Sequence, residues 1–266
     1  MSYSKEHIAY LKKLKKEKRI VLFFKVLIIF LFIAIWQSLE SFKIVNSFLM
    51  SSPLKVIETT ISLINDGSLF KHLGITMYEV LISFSLSIII GFLTATILWW
   101  YKRLAKIFDP YLTILNSLPK VALGPLIIIW VGASIKSIIV MALSISTFIT
   151  IINIYNAFIN VDQNYIKLLK TFKATKYQIF KKVILPSNKL NFITILKINI
   201  SMTLIGVIMG ELLVSKNGLG YLIMYGSSVF NINLVITSVV ILGIISYLLY
   251  YLVTILENKY KKRISN

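Results

Sequence analysis

Residues 162–186 read DQNYIKLLKTFKATKYQIFKKVILP and form the only long polar segment between the apolar stretches of this chain. The segment carries six lysines and a single acid, Asp162. Ile166, Leu169 and Phe172 recur at helical spacing, which predicts a short amphipathic helix in the first half of the segment. We therefore expect a surface helix here, flanked by hydrophobic spans.

The second half of the segment predicts another short helix. Thr175, followed three residues later by Gln178, is a capping box that starts a helix, and Pro186 is expected to end it. The apolar face of this second helix is predicted to comprise Ile179, Phe180 and Val183. The residues alone leave two interpretations open. The lysines could rest on anionic lipid headgroups, or the segment could be a docking surface for a cytoplasmic partner.

Composition narrows the class of protein. The chain has 266 residues, 57% of them hydrophobic, with a mean hydropathy of +0.82, which indicates a polytopic membrane protein. The net charge of +19 would suggest nucleic acid binding in a soluble protein. Here the basic residues cluster at the ends of apolar stretches, so we expect a lipid bilayer and no nucleic acid. The chain lacks cysteine, and His7 and His72 are both expected at the interface, so no metal site or catalytic residue is predicted.

Six apolar stretches predict six transmembrane helices in an all-α membrane protein. The N-terminal segment, residues 1–19, is predicted to be basic and cytoplasmic with a short amphipathic helix, and residues 258–266 form a basic tail. Between them, residues 20–257 form the transmembrane domain, which also holds an outer interfacial helix that starts at Ser52-Pro53. The first apolar stretch is interpreted as a retained span, because no small-residue cleavage site follows it. The spans are predicted at 20–39, 73–100, 111–133, 136–158, 191–214 and 233–256.

The positive charges predict the orientation. In the six-span arrangement 21 lysines and arginines fall on one side of the membrane and only five on the other. Basic residues accumulate on the cytoplasmic side. Both termini and the 162–186 segment are therefore predicted to be cytoplasmic.

The third predicted span is interrupted. Pro119 and Pro125 remove backbone hydrogen bonds in mid-membrane, which is tolerated where the freed groups face protein or water. With Lys120, they indicate the lining of a pathway. The alternative is a structural kink with Lys120 reaching the inner face.

Two acids fall inside spans. Glu79 lies about a turn and a half from the outer end of its span and is expected to be wetted or to snorkel. Glu211 lies near the outer end of the fifth span, where Gly206 and Gly210 form a Gly-x-x-x-Gly pair suited to close helix contact. The Asn217-Gly218-Leu219-Gly220 sequence after it predicts a turn.

The 162–186 segment resembles the EAA loop of ABC importer permeases. Lys167 stands where that family has Glu, and Lys173 stands where it has Gly. The family's Gly occupies a left-handed position, so the sequence leaves the turn at Lys173 open. The residues that carry the resemblance are Lys167, Leu168, Leu169, Lys173, Ala174, Thr175, Phe180, Val183, Leu185 and Pro186.

The resemblance extends over most of residues 50–257. Over this range the chain is similar to the nitrate, sulfonate and taurine branch of these permeases. It rests on Ser52-Pro53, on Pro119, Pro125, Trp130 and Gly132, on Asp162, and on Glu211 with Gly218-Leu219-Gly220. The resemblance implies a MetI-like fold, a homodimer in a bacterial plasma membrane, two copies of an ATPase subunit that binds ATP and Mg, and an external solute-binding protein. This chain would bind no cofactor itself.

The resemblance also implies residue roles. The 162–186 segment would be the helix that couples the permease to the ATPase, with Phe180, Val183 and Leu185 as apolar contacts in the ATPase cleft and Ala174 and Thr175 in the turn. Pro119, Pro125, Trp130 and Glu211 would line or gate the pathway. Lys120 would suit an anionic solute, and the branch includes importers of sulfonates, taurine, nitrate and thiamine-precursor pyrimidines.

Two other classes of protein are alternatives to an ABC importer permease. An ion- or proton-coupled carrier could use Glu79, Glu211 and Lys120 as a relay, but it leaves the helix–break–helix segment unexplained. A membrane enzyme needs a clustered nucleophile, acid or metal set. The absence of cysteine and the scattered histidines argue against that class.

Overall fold

The computed structural model describes the backbone of residues 5–42 and 50–265, with the side chains of 13–42, 50–259 and 261. Within these residues every regular element is helical. This description leaves out some residues named above: residues 1–4 of the predicted N-terminal segment, the side chain of His7, Lys43 and Asn266. The helices are α1 (Lys5–Ser41), α2 (Pro53–Asn65), α3 (Ser68–Trp100), α4 (Lys102–Ser117), α5 (Gly124–Val131), α6 (Ile135–Ile159), α7 (Gln163–Thr171), α8 (Lys176–Ile179), α9 (Leu185–Ser187), α10 (Lys189–Val214), α11 (Leu219–Ser228) and α12 (Ile232–Ser265).

Five of the described helices are long and apolar enough to cross a membrane, and a sixth crossing is present if the bent pair α4 and α5 forms one span. This agrees with the predicted all-α membrane fold. The N-terminal helix is not a separate short element, because α1 runs without a break from Lys5 into the first span. The predicted basic tail is likewise a continuation of α12.

The third span differs from its prediction. Helix α4 begins at Lys102, before the predicted start of this span at residue 111, and Pro110 lies inside the helix. The chain then bends by 86° before the segment Lys120–Val131. The bend lies at Leu118, which is extended (φ −60°, ψ 141°) because the residue before a proline avoids the helical region. A short 3₁₀ turn, Lys120–Leu123, leads into α5.

Helices α3, α6 and α10 form the core of the protomer. The predicted close approach at Gly206 and Gly210 is confirmed. A Cβ at Gly206 would lie 2.5 Å from the Cα of Ala142, and a Cβ at Gly210 would lie 2.9 Å from the Cα of Ile138. Glycine is needed at these positions because two helix backbones come almost into contact there.

A polar joint holds the same three helices together in the membrane interior. The Nδ2 amide of Asn199 on α10 donates to Ser87 Oγ on α3 at 2.6 Å and also to Thr150 Oγ1 on α6. Thr203 Oγ1 donates to Asn199 Oδ1 at 3.2 Å. Interhelical hydrogen bonds of this kind stabilise helix association in a bilayer. Sequence reasoning did not single out Asn199.

Helix α1 lies apart from this core. Most of its described apolar side chains are exposed, with Ile28, Phe30 and Phe32 each 66% exposed. It is tied to the start of α2 by the indole N–H of Trp36, which donates to the carbonyl of Ser51 at 2.6 Å. A helix that is apolar all round requires lipid or another protein around it.

Candidate functional site

The predicted coupling segment folds as two short helices joined by a left-handed turn. Helix α7 ends at Thr171, and Lys173 has φ +55°. The N–H of Ala174 donates to the carbonyl of Leu169 at 3.0 Å, and the N–H of Lys173 donates to the carbonyl of Lys170 at 2.9 Å. This pair of bonds is the Schellman motif that normally has glycine at the left-handed position. Lys173 therefore adopts the left-handed turn that the resemblance implies, despite its side chain.

Each of the two helices begins at a capping residue, and the cap predicted at Thr175 is formed. Gln178 N–H donates to Thr175 Oγ1 at 3.3 Å, and Thr175 N–H donates to Gln178 Oε1 at 2.8 Å, which confirms the capping box. Asp162 caps α7 by accepting from the N–H of Asn164 at 2.9 Å. Both helices of the segment thus begin at a side-chain cap.

Pro186 does not end the second helix, contrary to the prediction. The chain passes from α8 through a π-helical turn, Phe180–Ile184, into α9, which holds Pro186. In the wider turn the N–H of Leu185 donates to the carbonyl of Phe180. Pro186 then stands in the first turn of α9, where a missing N–H is tolerated.

Phe180 points into the protomer, and this corrects its prediction as a contact in the ATPase cleft. It is only 8% exposed. Its ring centroid lies 5.1 Å from that of Trp99, 6.2 Å from that of Trp100 and 5.4 Å from that of Phe158. Edge-to-face rings at such distances attract each other beyond simple burial. Phe180 therefore anchors the segment to the inner ends of α3 and α6.

Lys176 provides a second anchor. Its ammonium donates to the carbonyl of Trp100 and lies 5.3 Å and 5.4 Å from the ring centroids of Trp99 and Trp100. A cation over an indole face is favourable, and the Trp100 carbonyl at the end of α3 has no partner within the helix. The segment is thus held against the C-terminal end of α3.

The remaining residues of the predicted coupling set divide between an inner and an outer face. Leu169, Ala174, Val183 and Leu185 are half-buried and pack against the same inner cluster as Phe180. Lys167, Leu168, Lys173, Thr175 and Pro186 are exposed.

The outer face of α7 carries an apolar stripe that sequence reasoning largely missed. Tyr165 is 56% exposed, Leu168 53% and Phe172 74%. Phe172 was grouped with Ile166 and Leu169 by spacing, but α7 ends just before it and its ring leaves the inner face. The signal in the sequence is the spacing of Tyr165, Leu168 and Phe172 by three and four residues. We call these three residues the outer stripe.

Of the predicted pathway residues in the third span, Pro119 and Lys120 lie at the elbow between α4 and α5, Pro125 lies in the first turn of α5, and Trp130 lies near its end. Pro119 and Pro125 are exposed and Trp130 is 76% exposed. Lys120 is half-buried and donates to Asn116 Oδ1 at 3.2 Å. Among the described residues, nothing covers Pro119, Pro125 or Trp130.

Glu211 lies elsewhere, inside the protomer, at 1% exposure. Its carboxylate accepts from Thr76 Oγ1 and from the N–H of Gly220, both at 2.6 Å. Gly218, with φ +106°, passes so close that a Cβ there would lie 2.4 Å from the Glu211 carboxylate. Glu211 therefore fastens the Asn217–Gly220 turn to α3.

One further prediction near Glu211 is corrected. His72 is buried, and its Nδ1 accepts from the N–H of Gly218 at 2.9 Å. Glu79 is fully buried rather than wetted or snorkelling, and its carboxyl lies against that of Glu211. Neither oxygen of Glu79 accepts from a donor among the described residues.

Comparison with known proteins identifies the chain. The family described as "Binding-protein-dependent transport system inner membrane component" matches residues 87–266. The chain belongs to this family. It is 31% identical over 187 residues to the formylaminopyrimidine transport permease protein ThiX of Halalkalibacterium halodurans, which covers 70% of this chain and 74% of that protein. It is 29% identical over 231 residues to SsuC of Bacillus subtilis, named for aliphatic sulfonates transport, with 86% and 83% covered.

Solved structures agree on the fold. The chain superposes on a chain of the MetNI methionine ABC transporter in an inward-facing conformation with a TM-score of 0.60 at 19% identity, covering 76% of this chain and 98% of that one. The MetI-like fold is thereby confirmed. The chain is a non-catalytic permease subunit of an ABC importer, whose ATPase and binding protein are separate partners. The carrier hypothesis is not favoured.

Proposed function

We propose that this permease subunit assembles as a homodimer with two ATPase subunits and docks each of them through the outer stripe of α7. The exposed Tyr165, Leu168 and Phe172 carry this proposal, because an apolar stripe on a polar cytoplasmic segment is unfavourable in water and suits an apolar cleft. The anchors at Phe180 and Lys176 would pass a displacement of α7 directly to α3.

Co-purification of the permease with its ATPase in nanodiscs tests the docking surface. Leu168→Asp places a charge in the stripe, and Tyr177→Asp is the matched control because Tyr177 is similarly exposed (60%) but lies on α8. A charge in a desolvated cleft is costly, so Leu168→Asp should lose the ATPase while Tyr177→Asp retains it. Equal retention by both variants would place the docking surface elsewhere.

The orientation supports the same arrangement. The excess of lysine and arginine favours a cytoplasmic location for both termini and for the α7–α9 segment in a bacterial cell, on the side where an ATPase would work. The chain has no cysteine, so single cysteines can be introduced without background. Cysteines at Lys173 and Lys216 should react with a membrane-impermeant maleimide from opposite sides. Labelling of both in intact cells would refute this topology.

The transported solute is proposed to be a small organic anion or a polar pyrimidine delivered by the binding protein. The relatives ThiX and SsuC are named for formylaminopyrimidine and for aliphatic sulfonates. Lys120 at the elbow is the cation that an anionic solute would meet in this region. In nanodiscs with ATPase and binding protein, the solute that stimulates ATP hydrolysis identifies the class. A sulfonate importer should lose much of that stimulation in Lys120→Gln, whereas an importer of neutral pyrimidines should not.

A further inference from the structure

A cavity of about 620 Å³ lies between the coupling segment and the inner ends of the spans. Trp99, Tyr155 and Phe158 form its aromatic side, and α7 lines it with Ile166 and Lys170. Its volume is in the range of sites that hold small molecules. The outer stripe of α7 faces away from this cavity, so the cavity and the proposed ATPase contact are different surfaces.

Four lysines from three helices line the cavity. Lys102 and Lys106 come from α4, Lys170 from α7 and Lys176 from α8. No acidic side chain lines it, and none of the four forms an ion pair among the described residues. Four like charges around one cavity repel each other, and an anion placed between them would relieve that repulsion.

The depth of the cavity indicates the kind of anion. Trp99 and Trp100 end α3 at its basic, cytoplasmic side, where aromatic residues lie at the level of the lipid headgroups. Basic pockets between helices at this depth bind the headgroups of anionic lipids. Apolar lining residues such as Ile159 and Ile166 suit the glycerol and the first carbons of a lipid tail.

We infer that this cavity binds the phosphate headgroup of an anionic phospholipid from the cytoplasmic leaflet. The phosphate would join Lys102 and Lys106 on α4 to Lys170 on α7, and so tie the coupling segment to the start of the third span. The inference rests on the cavity and its charges and holds whether or not the outer stripe docks the ATPase.

Native mass spectrometry of the full chain, released from nanodiscs of mixed phosphatidylglycerol and phosphatidylcholine, tests it. The test variant is Lys102→Gln with Lys170→Gln. The control is Lys181→Gln with Lys182→Gln, which removes the same charge from exposed lysines of the same segment that do not line the cavity. With about 1 kcal/mol per lysine near the membrane surface, the test variant should bind phosphatidylglycerol roughly 30-fold more weakly. The control should match wild type.

Three results would overturn the inference. Equal loss in both double variants would mean that surface charge alone attracts the lipid. Equal retention of phosphatidylglycerol and phosphatidylcholine by wild type would mean that no anion site exists. A second arm adds soluble glycerol phosphate, and displacement of the lipid at equal concentration would assign the site to a soluble phosphate instead. Circular dichroism of each variant confirms that the exposed substitutions leave the fold intact.

Discussion

Replacing Phe180 by alanine separates an anchoring role from a docking role. The ring is 8% exposed and meets the rings of Trp99, Trp100 and Phe158. Truncating a buried phenylalanine costs ~3–5 kcal/mol, and a site near the surface that can partly collapse falls at the low end. We therefore expect Phe180→Ala to weaken the attachment of the segment by about 3 kcal/mol, which raises the detached population roughly 150-fold.

The assay uses the permease alone, without its ATPase. Trp99 and Trp100 are two of the four tryptophans in the chain, so loss of the neighbouring ring should shift tryptophan emission to longer wavelength. Thermal unfolding in detergent should begin earlier, and protease should cut the 162–186 segment faster. Phe180→Leu keeps most of the apolar volume and should cost about 1 kcal/mol.

A different result would restore the prediction made from the sequence. If Phe180→Ala keeps the emission spectrum, melting curve and protease resistance of the lone permease, yet loses the ATPase in co-purification, the ring enters the ATPase cleft. The anchoring role argued from the structure would then be wrong. Phe180→Asp cannot make this distinction, because a buried charge would disrupt the segment in either case.

Three smaller predictions concern other joints of the fold. Lys173→Gly should relieve the strain of the left-handed backbone at this position. Amide hydrogen exchange in α7 should then slow by the equivalent of roughly 0.5–1 kcal/mol. Faster exchange would contradict the left-handed conformation of Lys173. Glu211→Ala leaves buried donors unpaired and should lower the free energy of unfolding by about 2 kcal/mol. Glu79→Gln should lower it by less than about 1 kcal/mol, because neither Glu79 oxygen accepts a hydrogen bond among the described residues. Melting curves in detergent that reverse this order would refute the assigned roles. Gly206→Val should force α6 and α10 apart at a cost of about 2–3 kcal/mol in the same melts, while the control Gly74→Ala, which meets nothing within 4 Å, should be neutral.

Local signals in the sequence predicted local structure well. The capping box at Thr175 and Gln178 depends only on residues three apart, and it is formed as expected. The close approach at Gly206 and Gly210 also follows from a short motif. These features are set by chemistry within one or two helical turns, which a single sequence displays directly.

Features that depend on tertiary contacts were not predictable in the same way. Phe180 lies on an apolar face that could turn inward or outward, and only the presence of Trp99 and Phe158 opposite it decides the direction. Glu79 appeared to be an isolated acid near a span end, because Glu211 is far away in sequence. The partners of Asn199 on other helices lie 112 and 49 residues away, so no pattern within its own span reveals the joint.

The contacts of α3 explain how one protomer can connect its two sides. At its outer end Thr76 and His72 hold the Asn217–Gly220 turn. At its middle Asn199 joins it to α6 and α10, and at its inner end Trp99 and Trp100 hold the coupling segment. A helix fixed at three levels transmits displacement rather than absorbing it, because packed cores do not deform continuously. The 86° elbow between α4 and α5 and the exposed helix α1 have far fewer such ties, so relative motion within the importer should be concentrated there, with α3, α6 and α10 moving as one body.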